Sequence, residues 1–385
     1  MRFVGALLML ELSVAGVLAQ EQARAPTEAA LVEFGFEADV EGWVAMDDTA
    51  ILDLANDAAE VKVGVGALRW GFAPTEGKMP GVVAQTGPAP GAQSFSVWVK
   101  SSVACLLAVG LQEAGGARYV TASYCPPDEW KQMEMALADF MLSDDTTDDN
   151  GRLDPDQIAA CIVMDLAAMF FQNEEAAMFL GMTADPRSIL LDDFRISPKA
   201  VARQRLVKDV AGGGREITLQ TFDTSSIFLI PVRNTTADSV AHEDGGGGAV
   251  ALRYDLTGAQ FPAAGAILPV QVGELAGLSR VRIVASSEQP VTLAIMVEEK
   301  ADAAQGRDKS GYAATGKLAG GGEWETIELT PDDFKLNDDS SDENNALNGE
   351  QLSMIALLDA TAIMGGTPTP ANVLMVDEVT ALTTQ

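Results

Sequence analysis

The chain has 385 residues, enough for two ordinary domains, since a single hydrophobic core stops growing at about 250 to 300 residues. Its 47% hydrophobic and 21% charged residues describe a globular chain and exclude a disordered one. The 56 acidic against 25 basic side chains leave a formal charge of −31, which repels nucleic acid and anionic membrane surfaces and leaves cations and neutral polymers as partners.

Residues 1–19 read as an export signal: Arg2, an apolar stretch from Phe3 to Leu18 interrupted only by Glu11, and Val17-Leu18-Ala19 as a small-residue cleavage site. No later segment supplies about 20 unbroken apolar residues, so no membrane insertion is expected and the mature protein is placed outside the cell, in the periplasm or on the cell surface. The acidity then reads as a solvated coat on an exported protein, with dedicated cation binding as the alternative. The sequence does not set an oligomeric state.

From residue 30 onward the chain reads as short strands. Leu68, Trp70 and Phe72 alternate with Arg69 and Gly71, the period-2 signature of a half-buried strand, and Phe95, Val97 and Val99 do the same around Trp98. Cys105, Cys125 and Cys161 are too few for a disulfide framework; a Cys105–Cys125 bridge is conceivable, and buried free thiols are the favoured reading. Lys131, Met133 and Met135 alternate with Gln132 and Glu134 as a further strand.

The acidic run Asp144 to Asp154 invites a calcium reading, but the EF-hand spacing fails: with Gly151 as sixth residue, the first ligand falls on Thr146 and the twelfth on Gln157. Helix capping accounts for it better, through Asp154-Pro155-Asp156-Gln157, after which Ile158 to Met164 continues as a buried strand. Pro198 to Lys208 is basic and contains proline, as a linker would.

The second half repeats the first. Glu129–Asp165 aligns without gaps onto Glu323–Asp359 at a constant shift of 194, with 13 of 37 positions identical. Phe36-Glu37 aligns with Phe222-Asp223, Ala67-Leu68-Arg69-Trp70 with Ala251-Leu252-Arg253-Tyr254, Ser101-Ser102 with Ser286-Ser287, and Leu191-Asp192-Asp193-Phe194 with Val376-Asp377-Glu378-Val379; Trp98 then falls opposite Ile283. An insertion in the second copy falls around Lys300 to Ser310. The expected organisation is one domain over 30–198, a linker over 199–215 and a second domain over 216–382. Strands punctuated by Gly, Pro and Asp turns without recurrent long helices predict an all-β chain of two tandem antiparallel β-sandwich or jelly-roll domains.

Phe36-Glu37, Gly42-Trp43, Ala67-Leu68-Arg69-Trp70, Trp98-Val99-Lys100, Glu129-Trp130, Asp139-Phe140 and Leu191-Asp192-Asp193 resemble the galactose-binding-like jelly rolls of bacterial carbohydrate-binding modules. The resemblance covers nearly all of both copies, and the second lacks an aromatic at the Trp43 and Trp98 positions. It implies carbohydrate or polysaccharide as ligand. It also implies a structural calcium in each copy, held by Glu37 with Asp192 or Asp193, and by Asp223 with Asp377.

Sugar binding needs aromatic rings for apolar sugar faces and polar groups for hydroxyls, and the candidates are Trp98, Arg69, Trp70, Arg253 and Tyr254. Trp98 stands between core and platform, Trp70 and Tyr254 fall in phase with the core, and Trp130 and Trp324 read as end plugs. If one copy binds, the fuller aromatic pattern favours the first. Catalysis finds little footing: the sole histidine, His242, lies in a Gly-rich loop without the Lys-Ser/Thr of a phosphate cradle, so the chain is read as a non-enzyme. A structural or adhesion protein, and a β-sandwich glycosidase or lyase, are the alternatives.

Overall fold

The computed structural model describes residues 32–75, 78, 80–143, 145–166, 178–181, 183–224, 229–241, 247–300, 310–338, 340–342 and 344–384. The export signal, His242 to Gly246, and residues 301–309 of the expected insertion lie outside them. Contacts divide the chain into two units, the described residues up to 166 with 183–202 in one, and Arg203 onward with Met178–Gly181 in the other.

The strands of the first unit are β1 Val32–Phe34, β2 Val44–Ala45, β3 Ile51–Ala55, β4 Ala67–Phe72, β5 Gly81–Gln85, β6 Ser94–Ser101, β7 Cys105–Glu113, β8 Arg118–Cys125, β9 Lys131–Ala136, β10 Met141–Leu142, β11 Ile158–Asp165 and β12 Arg187–Ser197. One antiparallel sheet runs β3-β4-β12-β6-β9, with β1 also on β12; the other runs β10-β8-β7-β11-β5-β2. The alternating residues face inward as expected: Leu68, Trp70, Phe95, Val97 and Val99 from one sheet meet Leu107, Val109, Cys161 and Val163 from the other in a single core. Phe34, Phe36, Trp43, Phe95 and Phe194 close one part of it, their rings 5.0–6.2 Å apart and mostly edge-to-face.

The second unit repeats this with β13 Leu206–Asp209, β14 Arg215–Gln220, β15 Ile230–Pro231, β16 Thr235–Ala241, β17 Gly248–Tyr254, β18 Ala264–Pro269, β19 Leu278–Ser287, β20 Val291–Glu299, β21 Ser310–Leu318, β22 Glu325–Leu329, β23 Lys335–Leu336, β24 Leu352–Asp359 and β25 Asn372–Thr383. One sheet runs β13-β14-β25-β17-β16 with β19 joining β25 to β22, and the other runs β15-β18-β24-β20-β21-β23. Val281, Ile283, Val376 and Val379 of the first sheet and Leu293, Ile295, Ile355 and Leu357 of the second are all buried. The chain is therefore all-β, two antiparallel sandwiches in tandem. Part of the expected linker is structure: β13 pairs with β14, and Arg205, itself largely buried, forms an ion pair with Glu274.

The predicted capping turn is present in both copies as one turn of 3-10 helix, Pro155–Gln157 and Gly349–Gln351, leading directly into β11 and β24. Its N-terminal N–H is capped from elsewhere: Asp154 N–H donates to Glu113 Oε1 at 2.6 Å and Asn348 N–H to Glu299 Oε1 at 2.5 Å. The acidic run is tied down by a tyrosine, since the Tyr119 hydroxyl donates to Asp148 at 2.8 Å and the Tyr312 hydroxyl to Asp342. Cys105 and Cys125 are directly opposed in register, and all three cysteines are buried free thiols.

Backbone geometry corrects the alignment of the copies in two places. Phe36 and Phe222 both adopt φ 57°, and each carbonyl is overlain by a glycine, Gly66 or Gly248. The equivalent strands are therefore Gly66-Ala67-Leu68-Arg69-Trp70 and Gly248-Ala249-Val250-Ala251-Leu252, two residues from the sequence match. Likewise Phe95 and Val97 pair with Met135 and Met133 as Val281 and Ile283 pair with Leu329 and Ile327, so Trp98 corresponds to Val284 rather than Ile283. A Cβ on Gly66 would lie 2.1 Å from the Phe36 carbonyl oxygen and one on Gly248 2.3 Å from that of Phe222. Gly66→Ala and Gly248→Ala are each expected to destabilise their unit by about 1–3 kcal/mol through forced backbone shifts. Urea unfolding checks this, and unchanged midpoints would show that the Phe36 and Phe222 turns yield without strain.

Candidate ligand groove

The two copies present the same tryptophan in the same way and cover it differently. In the first unit Asp128, at φ 59°, donates its N–H to the Ser101 carbonyl at 2.7 Å, two residues before Trp130. In the second, Gly322 at φ 80° donates to Ser287 at 2.9 Å, two residues before Trp324. Gly320 and Gly321 share that left-handed conformation, which glycine adopts without Cβ strain. Both indoles are thereby turned onto the outer face of a sheet, beside β4 and β12 or beside β17 and β25.

In the first unit that position is filled. Ala55, Ala67 and Leu190 form a small buried cluster against which Val61 and Trp130 pack. Val61 belongs to the loop joining β3 to β4, ten residues between Ala55 and Gly66. In the second unit the counterparts Val240, Ala249 and Met375 line, with Trp324, an open groove of about 660 Å³. The corresponding connection is seven residues between Val240 and Gly248. Trp324 is 41% exposed. Arg253, Ser286, Ser287 and Glu288 supply the polar part of the lining, and the Arg253 guanidinium rests 3.4 Å from Asp238.

An exposed indole beside aliphatic side chains, with a guanidinium, a carboxylate and hydroxyls around it, presents one apolar plane and a set of hydrogen-bonding groups. That combination suits a ligand with an apolar face and a hydroxylated edge, in a volume within the usual range of ligand sites.

The sequence-predicted sugar residues separate on this frame. Arg253 lies in the groove. Trp70 does not: it is fully buried, stacked at 4.7 Å on Phe72, and a ring enclosed by core side chains offers no face to a ligand. Tyr254 is likewise interior, its hydroxyl donating to Asp359 Oδ2 at 3.0 Å, and burial beside that carboxylate raises its pKa well above the usual tyrosine range.

Trp98 and Arg69 are on the outer face of the first unit, where they hold the covering loop. The Lys62 ammonium sits 4.4 Å from the centre of the Trp98 ring. Arg69 forms ion pairs with Glu60 and, at 3.3 Å, with Asp53. Trp324, which sequence reasoning took for an end plug, is the residue it missed. The signal was the connection before β17, three residues shorter than the one that carries Val61 in the first unit.

Of the expected calcium residues, Asp192 and Glu37 converge on the same covering loop. Lys62 and Val63 N–H donate to Asp192 Oδ2 at 2.7 and 2.8 Å, and Val65 N–H donates to Glu37 Oε2 at 2.8 Å. Asp192 is fully buried, its Oδ1 has no hydrogen-bond partner among the described residues, and burial raises its pKa against the pull of these N–H donors. Asp193 turns away, at φ 50°, into an ion pair with Arg195 at 2.8 Å. In the second unit Asp223 accepts the Gly248 N–H at 2.9 Å, and Asp377 lies in the β25 bulge. No group of three or more His, Cys, Asp or Glu side chains poised for a metal occurs among the described residues.

No protein-family model matches the chain, and no curated protein does. Solved structures similar to it include carbohydrate-binding modules. The family 11 carbohydrate-binding module of a cellulosomal cellulase of Clostridium thermocellum is 12% identical, covering 46% of this chain and 99% of its own, at a TM-score of 0.33. The N-terminal tandem CBM22 domain of Paenibacillus barcinonensis Xyn10C is 14% identical, covering 94% of this chain and 99% of its own, at 0.31. An exo-β-agarase matches over 44% of this chain and 25% of its own, at 12% identity and 0.33.

Proposed function

We propose that this chain is a secreted, non-catalytic carbohydrate-binding protein whose ligand is a neutral polysaccharide lying across Trp324 in the groove of the second sandwich. The half-exposed indole on an aliphatic floor, with Arg253 and Glu288 beside it, carries the reading. The charge of −31 supports a neutral polymer over an anionic one. A binding role is favoured over hydrolysis because glycoside hydrolysis uses two carboxylates flanking the scissile bond, and Glu288 is the single carboxylate in the described lining. Among the described residues no helix is long and apolar enough to cross a membrane.

The test is affinity electrophoresis of the full chain in gels containing mixed-linkage β-glucan, xylan, agarose or galactan. Retardation in at least one of them, relative to a blank gel, is the expected result; unretarded migration in all four would sink the reading.

A calcium ion at Asp192 and Glu37 belongs to the same proposal. The buried, unpartnered Asp192 Oδ1 is the kind of oxygen a hard cation takes, and the remaining ligands would be backbone oxygens and water. Such an ion would neutralise a buried carboxylate at the base of the covering loop. Saturating calcium should then stabilise the first unit by about 2–3 kcal/mol, raising its unfolding temperature by roughly 4–10 °C over the EGTA-treated protein. Superimposable calorimetric scans with and without EGTA would contradict it.

A further inference from the structure

We infer that the first sandwich carries a second carbohydrate site, centred on Trp130, which the 56–65 loop covers as a strap latched by Trp98, Arg69 and Lys100. This rests on the reading of the Trp324 groove as a carbohydrate site.

The two positions correspond residue by residue. Ala55, Ala67, Leu190 and Trp130 stand where Val240, Ala249, Met375 and Trp324 line the open groove. Val61 of the strap has no counterpart among the described residues, and it packs with Trp130 on the Ala55, Ala67 and Leu190 cluster. Three outward-facing side chains hold the strap in place. The Trp98 ring lies under the Lys62 ammonium, Arg69 pairs with Glu60, and the Lys100 ammonium donates to the Ala59 carbonyl at 3.3 Å.

The second unit lacks all three. Through the corrected register, Trp98, Arg69 and Lys100 correspond to Val284, Ala251 and Ser286. Latch and strap length change together: where the anchors are absent the connection is three residues shorter and the tryptophan is 41% exposed. A loop retained only to connect β3 to β4 would need none of these anchors, and each acts on a different residue, Ala59, Glu60 or Lys62. The strap is further held by the N–H bonds of Lys62 and Val63 to Asp192 and of Val65 to Glu37, so its base stays fixed when the latch is removed.

The chain has five tryptophans, so a parent carrying Trp324→Ala and Trp98→Phe keeps Trp43 and Trp70, both buried, and Trp130. Into this parent the latch is opened with Arg69→Ala, Lys100→Ser and valine in place of Phe at position 98, copying the second unit. Acrylamide quenching of tryptophan fluorescence should then rise for one indole of the three, the half-buried Trp130. Retardation in whichever of the four polysaccharide gels retards the wild type, lost in the parent, should return and disappear again on adding Trp130→Ala.

A cooperatively folded opened variant with unchanged quenching would overturn the strap. Increased quenching without recovered retardation, where the wild type is retarded, would overturn the second site alone. A wild type retarded in no gel would remove the carbohydrate reading of both grooves. Should the triple change unfold the unit, Val61→Gly in the same parent removes only the strap side chain that packs with Trp130 on the Ala55, Ala67 and Leu190 cluster, and the same outcomes decide.

Discussion

Trp324→Ala is expected to abolish polysaccharide retardation while leaving both unfolding transitions in place. The indole is 41% exposed and stands on the lip of the groove, where a run of left-handed glycines sets the backbone. Its removal therefore costs the fold little. A central tryptophan in a binding site typically contributes about 2 kcal/mol or more, so affinity should fall by roughly 30-fold or beyond.

Trp98→Ala gives the opposite pattern. Its ring faces the Lys62 ammonium and lies outside the Trp324 groove, so wild-type retardation should persist while the first unit loses about 1 kcal/mol of cation–π and packing stabilisation. Retardation lost with Trp98→Ala and kept with Trp324→Ala would move the site to the first unit. Gel electrophoresis and urea unfolding on the same two proteins separate the cases.

Asp165→Ala is expected to unfold the first sandwich, or to destabilise it by about 3–5 kcal/mol. Arg187 and Asp165 form an ion pair at 2.8 Å with both side chains fully buried, so removing the acid strands a guanidinium in the interior. The second unit keeps the acid and changes the partner. Asp359 accepts from the Tyr254 hydroxyl, which in turn accepts from Asn372 Nδ2 at 3.0 Å.

Register makes these equivalent: Arg187 is paired with Phe72 as Asn372 is with Tyr254. Asp359→Ala should accordingly cost less, about 1–3 kcal/mol, because the groups left behind are neutral. Joint substitution of Phe72→Tyr and Arg187→Asn should rebuild the second unit's network around Asp165 and retain most of the stability. Chemical denaturation tests the set, and a cost for Asp165→Ala no larger than for Asp359→Ala would show that the buried charge is compensated by another route.

Fold class was legible because it depends on signals that are local in sequence. Period-2 alternation around Leu68, Val97 and Met133 set the inward faces, and the gapless match of Glu129–Asp165 to Glu323–Asp359 set the duplication; both hold in the structure. The turn before β11 was legible too, since Pro155 fixes its backbone, although its cap comes from Glu113, forty-one residues away.

The site was not legible, and the reason lies in the same periodicity. A strand displaced by two residues keeps every side chain on its face, so Ala67-Leu68-Arg69-Trp70 matched Ala251-Leu252-Arg253-Tyr254 in the sequence while the chain pairs as Gly66 with Gly248. That slip made Arg253 a twin of Arg69, though one lines a groove and the other latches a loop. Sequence by itself determined two acidic all-β sandwiches built from one repeat, and it marked a tryptophan at the start of the same strand in each. Only the tertiary structure decided that Trp324 is the more exposed of the two, because Trp130 shares its apolar cluster with Val61 of a loop distant in sequence, which side chains of the sheet hold in place.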